Sequence, residues 1–347
     1  MTRTNRTALM LAWTTRLSLV LAMCSALSAC ADGDPPYDDV TGKLDADLLS
    51  NRGFYADLAS GTPPENALEY EPDYALWSDG AVKRRWLILP PGAQIDTSDM
   101  DHWQFPVGTV AVKEFSLEGK RLETRVIERV GDSGVQKEDY RLGTFVWRDD
   151  QSDAVLTSDG VPNVNGTTHD VPAQKFCMHC HKGEPGTVLG FSAMQTSKSG
   201  WLSRLVELGA VTNAPDHSFA IPGDATQSKA LGILHANCGH CHTDKGMAPK
   251  MRLRLRTEEA ELPFEETELY QTTVGQRISR DWLAPPPEYT IRIAPGHPES
   301  SAVLYRMEQR GDDDELVPEQ MPPIATNKVD EEAVAVIRDW IAALPEL

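Results

Sequence analysis

The sequence predicts an α+β chain, an antiparallel β sandwich or barrel followed by an α-helical domain, and three observations predict it. Residues 67–165 hold four short runs of alternating apolar and polar residues separated by turns rich in glycine and proline, the spacing of antiparallel strands. Toward the C-terminus the apolar residues instead recur three and four positions apart, the period of a helix with one buried face. The chain has 347 residues, 40% of them apolar, enough for two domains with real cores.

The composition narrows the function. With 33 Lys and Arg against 52 Asp and Glu, the formal net charge is -19. Binding to nucleic acid without regard to sequence needs cations that displace counterions from phosphates, so that class is excluded, and a charged partner should present a basic surface. Charged residues make up 24% of the chain, an ordinary share, so wholesale disorder is not expected.

Residues 1–29 contain no Asp or Glu, carry Arg3, Arg6 and Arg16, and then run mostly apolar from Leu17 to Ala26, the layout of an export signal. The segment closes on Leu27-Ser28-Ala29-Cys30, which resembles a bacterial lipobox, with Cys30 as the lipidated residue. Arg16 breaks the run short of the twenty or so apolar residues that a membrane-spanning helix needs. Cleavage before Cys30 would remove three arginines and leave a net charge of -22. Ala31 after the lipidated cysteine favours the outer membrane by the enterobacterial sorting rule. Residues 30–66, polar and proline-containing at their start, are expected to form a tether.

The β region follows. Its runs are Arg85–Leu89, Thr109–Phe115, Thr124–Val130 and Leu142–Trp147, divided by Pro-Pro-Gly, Leu-Glu-Gly and Gly-Asp-Ser-Gly turns. Five of the eight tryptophans (Trp77, Trp86, Trp103, Trp147, Trp201) fall in or just after it and are expected in its core.

Apart from Cys24, in the signal, and Cys30, the remaining cysteines form two copies of one pattern: Cys177-Met178-His179-Cys180-His181 and Cys238-Gly239-His240-Cys241-His242. C-x-x-C-H is the attachment signature of c-type haem. Two thiols one helical turn apart reach the two vinyl groups of one porphyrin, and the adjacent histidine, His181 or His242, binds the iron. A zinc ribbon separates its cysteine pairs by about 15–20 residues, whereas 57 residues intervene here. A redox dithiol would not need a histidine after each second cysteine. The expected cofactors are therefore two covalently bound haem c groups, the first held by segment 166–222 and the second by segment 223–347. His179 and His240 are expected at the surface or at the haem edge.

In segment 223–347, Lys229 to Asn237 reads as the helix entering the second motif. Met251 to Arg256 alternates strictly, which suggests a strand whose arginines pair either with haem propionates or with Glu258, Glu259 and Glu261. Pro295 to Ser301 reads as a turn with a serine cap before a short helix, with His297 at the surface. Met321-Pro322-Pro323 precedes a helical stripe of Ala333, Val336, Ile337, Trp340, Ile341 and Leu344, opened by Glu331 and Glu332 and ended by Pro345. A methionine-proline loop before a terminal amphipathic helix resembles the closing half of a class I cytochrome c, and makes Met321 the expected sixth ligand of the second iron. For the first iron Met194 and His169 stand open as candidates, with His217 farther away. An open position there is also compatible with the sequence.

With these residues assembled, the chain resembles a family of exported bacterial dihaem c-type cytochromes. The likeness rests on YALWSDGAVKRRWLILPPG, WQFPVGTVAVKEF, RLETRVIERV, TTHDVPAQKFCMHCH, VLGFSAMQ, LHANCGHCH, PGHPESSAVLYRM and MPPIATNKVDEEAVAVIRDWI, and covers the chain from about residue 45 onward. It implies an exported electron carrier with two haems, working between a redox donor and a redox acceptor in the cell envelope. A more distant likeness of layout, β portion before CxxCH, links the chain to lysine-crosslinked haem cytochromes of ammonia oxidisers. Lys113, the one lysine that invites that comparison, is expected to face solvent. Two other functions compete: a dihaem enzyme whose open first haem acts on peroxide or a small nitrogen compound, and a binding protein whose β domain docks a partner.

Overall fold

A computed structural model describes residues 48–346, apart from 216, 218, 280–284 and 312–318. The signal segment and Cys30 lie outside the described residues.

Alternation in the β region produces one six-stranded antiparallel sheet, in the order β1-β2-β3-β4-β5-β6. The strands are β1 (Ala67–Glu69), β2 (Val82–Ile88), β3 (Val110–Leu117), β4 (Lys120–Arg129), β5 (Tyr140–Trp147) and β6 (Ala154–Thr157). β2 to β5 coincide with the four alternating runs; β1 and β6 are too short to show a pattern. Between β3 and β4 the chain turns through Glu118 and Gly119, both at positive φ (51° and 81°), a twist that matches the right-handed twist of the flanking strands.

A single open sheet therefore stands where a sandwich or barrel was expected, because among the described residues no second sheet covers either face. One face buries Trp86, Val112, Val126, Phe145 and Trp147 under Leu49 and Phe54. Residues 49–55, expected within the tether, are thus packed: Tyr55 stands edge-on to Trp86 at 5.1 Å. The opposite face, with Leu87 and Ala111, packs on the helical layer, and this core runs on through Leu231 and Leu234 to Ile337, Trp340 and Ile341. The sheet and the helices described belong to one unit. Trp86, Trp103, Trp147 and Trp201 are buried as expected.

Among the described residues there are eight α-helical segments, in chain order α1 (Gln136–Asp139), α2 (Cys177–His181), α3 (Ala193–Thr196), α4 (Trp201–Glu207), α5 (Ala225–Cys238), α6 (Glu268–Thr273), α7 (Ala302–Glu308) and α8 (Glu331–Ala343). Asp224 starts α5 in a reciprocal cap: its carboxylate accepts from the Gln227 amide at 2.9 Å, and the Gln227 side chain accepts from the Asp224 amide at 2.8 Å. α8 opens with Asp330 accepting from the Ala333 amide at 3.0 Å. Its buried stripe holds Ala333, Ile337, Trp340 and Ile341 as expected and Val334 besides, with Val336 partly buried against the same core. Among the described residues no helix is long and apolar enough to cross a membrane.

Two local expectations are corrected. Met251 to Arg256 forms no strand; Leu253 and Leu255 are buried, and their amides bond to the His242 carbonyl (2.8 Å) and to Nδ1 of His235 (2.9 Å) in place of a neighbouring strand. Ser301 stands at the start of α7 without capping it by side chain, because its hydroxyl accepts from the Ala294 amide (2.9 Å) and donates to the His297 carbonyl (3.0 Å). His297 is exposed, as expected.

Candidate cofactor site

The first motif is α2 itself. Gln174, in the turn before it, donates to the Leu142 carbonyl of β5 at 2.9 Å and so ties the motif to the sheet. His181 directs Nδ1 at the Thr187 carbonyl, 2.5 Å away. That bond fixes the ring and the tautomer, leaving Nε2 as the basic nitrogen, the arrangement typical of a metal-binding histidine. Burial lowers the pKa of His181, which keeps the ring neutral, as a ligand must be.

The second motif begins in the last turn of α5. Gly239 is required there by close approach: a Cβ would lie 2.6 Å from the His235 carbonyl oxygen and 2.9 Å from Cα of Arg254. His242 holds a buried Nδ1 with no hydrogen bond of ordinary geometry. Burial, with help from the charges of His240, Arg306 and Arg292, takes its pKa down to about 4, although the Ala248 backbone comes near enough to pull slightly the other way. A buried neutral imidazole without a full set of partners is costly unless something else engages it.

The tertiary structure brings the two motifs together. The ligand atoms of Cys180, His240 and Cys241 all lie within 4.8 Å of one another, and Sγ of Cys241 lies 3.3 Å from the His179 carbonyl. Cys177, Cys180, Cys238 and Cys241 are free thiols. Burial raises Cys177 to about 11 and Cys238 to about 12, whereas the thiol of Cys241 draws Cys180 down and is itself pushed up by it.

Beyond Cys238 opens a small cleft with a cavity of about 30 Å³, lined by Trp77, Cys238, Met307, Arg310 and Met321 among others. Met321 and Cys238, 83 positions apart in the chain, thus share one cavity wall. The Met321 amide bonds to the Arg306 carbonyl at 3.0 Å, and the buried Gln320 amide holds the loop through the Thr326 carbonyl at 2.7 Å and the Pro322 carbonyl at 3.1 Å. Trp77, expected in the core of the β domain, instead lines this cleft, with Nε1 donating to the Lys328 carbonyl at 2.9 Å. Trp77, Met307 and Gln320 escaped sequence reasoning, for nothing in their local pattern marks them.

Around the first motif the two candidate ligands differ. Met194 is buried in the core with Phe191 and Trp201. His169 is buried with Nε2 2.7 Å from Oε1 of Glu123, a residue that also holds Arg125 at 2.6 Å. Lys113 does not face solvent as expected: it lies on the inner face of the sheet, near enough to His181 to disfavour its protonation. Of the three alternating arginines, Arg254 crosses to Glu184 at 2.5 Å, Arg252 reaches Glu268 at 3.5 Å, and only Arg256 takes one of the expected partners, Glu258 at 3.0 Å. Glu184 follows the first motif and Arg254 the second, so this buried pair joins the segments leaving both.

These residues fit a covalently attached haem at each motif. The cysteines are free, both motif histidines are neutral, the ring of His181 is oriented by a carbonyl, and a methionine sulfur shares the cleft beside Cys238. Comparison of the chain with protein-family models, curated proteins and solved structures finds no match.

Proposed function

We propose that the chain is an exported dihaem c-type cytochrome lipoprotein that carries electrons between redox partners of the cell envelope. The observation that supports this most is the meeting of two CxxCH motifs separated by 56 residues in sequence, one of them beside a cleft that also holds Met321. Cys177 and Cys180 would hold one haem and His181 its iron; Cys238, Cys241 and His242 would hold the other, with Met321 as its sulfur ligand. Each haem, when bound, supplies a one-electron couple at its iron. The Thr187 carbonyl fixes the His181 ring, the Gln320 amide fixes the methionine loop, and the Glu184–Arg254 pair keeps the two motif segments in register. Rigid ligands limit the rearrangement that accompanies a change of iron charge. The acidic chain would steer toward basic patches on donor and acceptor, with association weakening as salt rises. Lipid on Cys30 would tether it at the envelope, facing the periplasm or at the outer membrane.

One specific observation favours a second reading: the convergence of Cys180, His240 and Cys241 is also the donor set of a three-ligand metal site. Haem and zinc content, measured on protein produced in a host with c-haem maturation, decide between them. Two haems per chain without zinc support the cytochrome; zinc without haem overturns it.

A further inference from the structure

The inner face of the sheet carries a charge arrangement that electron transfer alone does not require. Strand register sets Arg85 directly opposite Lys113, and Lys113 directly opposite Arg125, so three basic side chains form one row across β2, β3 and β4. Like charges placed directly opposite destabilise a sheet, and burial raises the cost because a buried charge needs a partner. Arg85 is only 6% exposed. Lys83 adds a fourth on the same face.

The anions available on this face are too few. Glu123 is fully buried, but its oxygens are spent on Arg125 (2.8 and 2.6 Å) and His169 (2.7 Å). Arg85 makes one long bond, 3.4 Å, to the Lys83 carbonyl. Lys113 makes no hydrogen bond or ion pair among the described residues; its contact is with the Phe115 ring, 4.8 Å from Nζ, which Arg125 also covers at 4.6 Å. Glu71 lies near Arg85, and Asp79 and Asp330 near Lys83, none of them as an ion pair. Burial, with the neighbouring Arg85, Arg125 and Lys83, holds the pKa of Lys113 well below its usual value, Glu123 pulling the other way; Arg85 and Lys113 therefore stand side by side with no ion pair among the described residues. The row lies beside the first motif, where Lys113 opposes protonation of His181 and Arg125 favours the thiolates of Cys177 and Cys180.

We propose that Arg85 and Lys113, backed by Arg125, form a binding site for one carboxylate or small oxyanion beside the first CxxCH motif. A guanidinium fork and a lysine that a bound anion would hold protonated, on adjacent strands, suit such a group, which accepts charge-assisted hydrogen bonds on two oxygens. The group has two possible sources: a propionate of a haem attached at Cys177 and Cys180, or a diffusible oxyanion reaching that haem. The first source rests on the cytochrome reading; the second does not.

The test uses the full-length purified protein, its Lys113→Met and Arg85→Met variants, and Lys113→Arg as a control that keeps the charge. Haem content is measured first, then calorimetric titration with nitrite, phosphate and acetate at constant ionic strength, then the midpoint potential of each haem. A diffusible anion predicts uptake of one per chain, at least tenfold weaker in Lys113→Met and retained in Lys113→Arg. A propionate predicts no uptake, and in Lys113→Met a tenfold shift toward the oxidised form of one haem only, 59 mV for a one-electron couple, with haem content unchanged. No uptake together with unchanged potentials overturns the proposal, as does a chain that lacks haem and takes up no anion. A chain that lacks haem yet binds anion retains the site and sinks the cytochrome reading alone.

Discussion

The thiol of Cys241, in the second CxxCH motif, lies 3.3 Å from the backbone carbonyl of His179, in the first. In the proposed cytochrome two sites so close would be electrostatically coupled, since oxidation of one iron would place a charge near the other. A reductive titration followed at both haems is expected to show mutual interaction, and the circular dichroism of the Soret band a two-signed exciton couplet. Two independent one-electron curves with no couplet would contradict the contact.

Two methionines line the cleft beside Cys238: Met307 on α7 and Met321 in the loop that Gln320 holds. In the proposed cytochrome, Met321→Ala is expected to abolish the far-red sulfur-to-iron band and lower the second haem's potential on the order of 0.1 V, a fraction of the roughly 0.8 V that axial ligation spans. Met307→Ala should leave the band in place. The reverse outcome would transfer the ligand assignment to Met307.

Acid stability should report on His235, which accepts a bond from the Leu255 amide at 2.9 Å. Burial, reinforced by Arg254 and His240, takes its pKa from 6.5 to about 3. The folded chain therefore keeps the ring neutral while the unfolded chain takes up a proton below pH 6.5. The stability linked to this group is complete above pH 6.5 and declines as pH falls toward 3, by up to ~1.4 kcal/mol per pH unit. His235→Asn, which offers an oxygen to the same amide, should flatten that slope in urea unfolding curves taken between pH 4 and 6.5; an unchanged slope would exclude His235 as its source.

Gly239→Ala is expected to destabilise by about 1–3 kcal/mol, the range for forcing atoms into a packed site. The atoms facing its Cβ position are all backbone, from His235, Leu253 and Arg254, so none can swing away. Thermal unfolding with haem content measured alongside checks this. A variant as stable and as fully loaded as the parent would show that the helix end can shift.

Much of the fold is legible because periodicity is local. The four alternating runs become β2 to β5, and the terminal stripe becomes α8, as period 2 and period 3.6 demand. Met251 to Arg256 shows the limit: it alternates like a strand, yet its amides find a histidine ring and a motif carbonyl in place of a neighbouring strand. Lys113 shows another. Alternation says that a residue shares a face with its neighbours two positions away, but not which face the helices cover.

By itself the sequence determined the two CxxCH motifs, the export-like first thirty residues, the acidic balance and the order of strands before helices. Each of these is written in neighbouring residues or in totals. Only the tertiary structure decided that the motifs meet, that Met321 and Met307 share a wall with Cys238, that one open sheet replaces a sandwich, and that three basic side chains line up beside Cys177 and Cys180. Those relations join residues tens to hundreds of positions apart, and they are set by which faces bury against each other, a choice that no short stretch of sequence records.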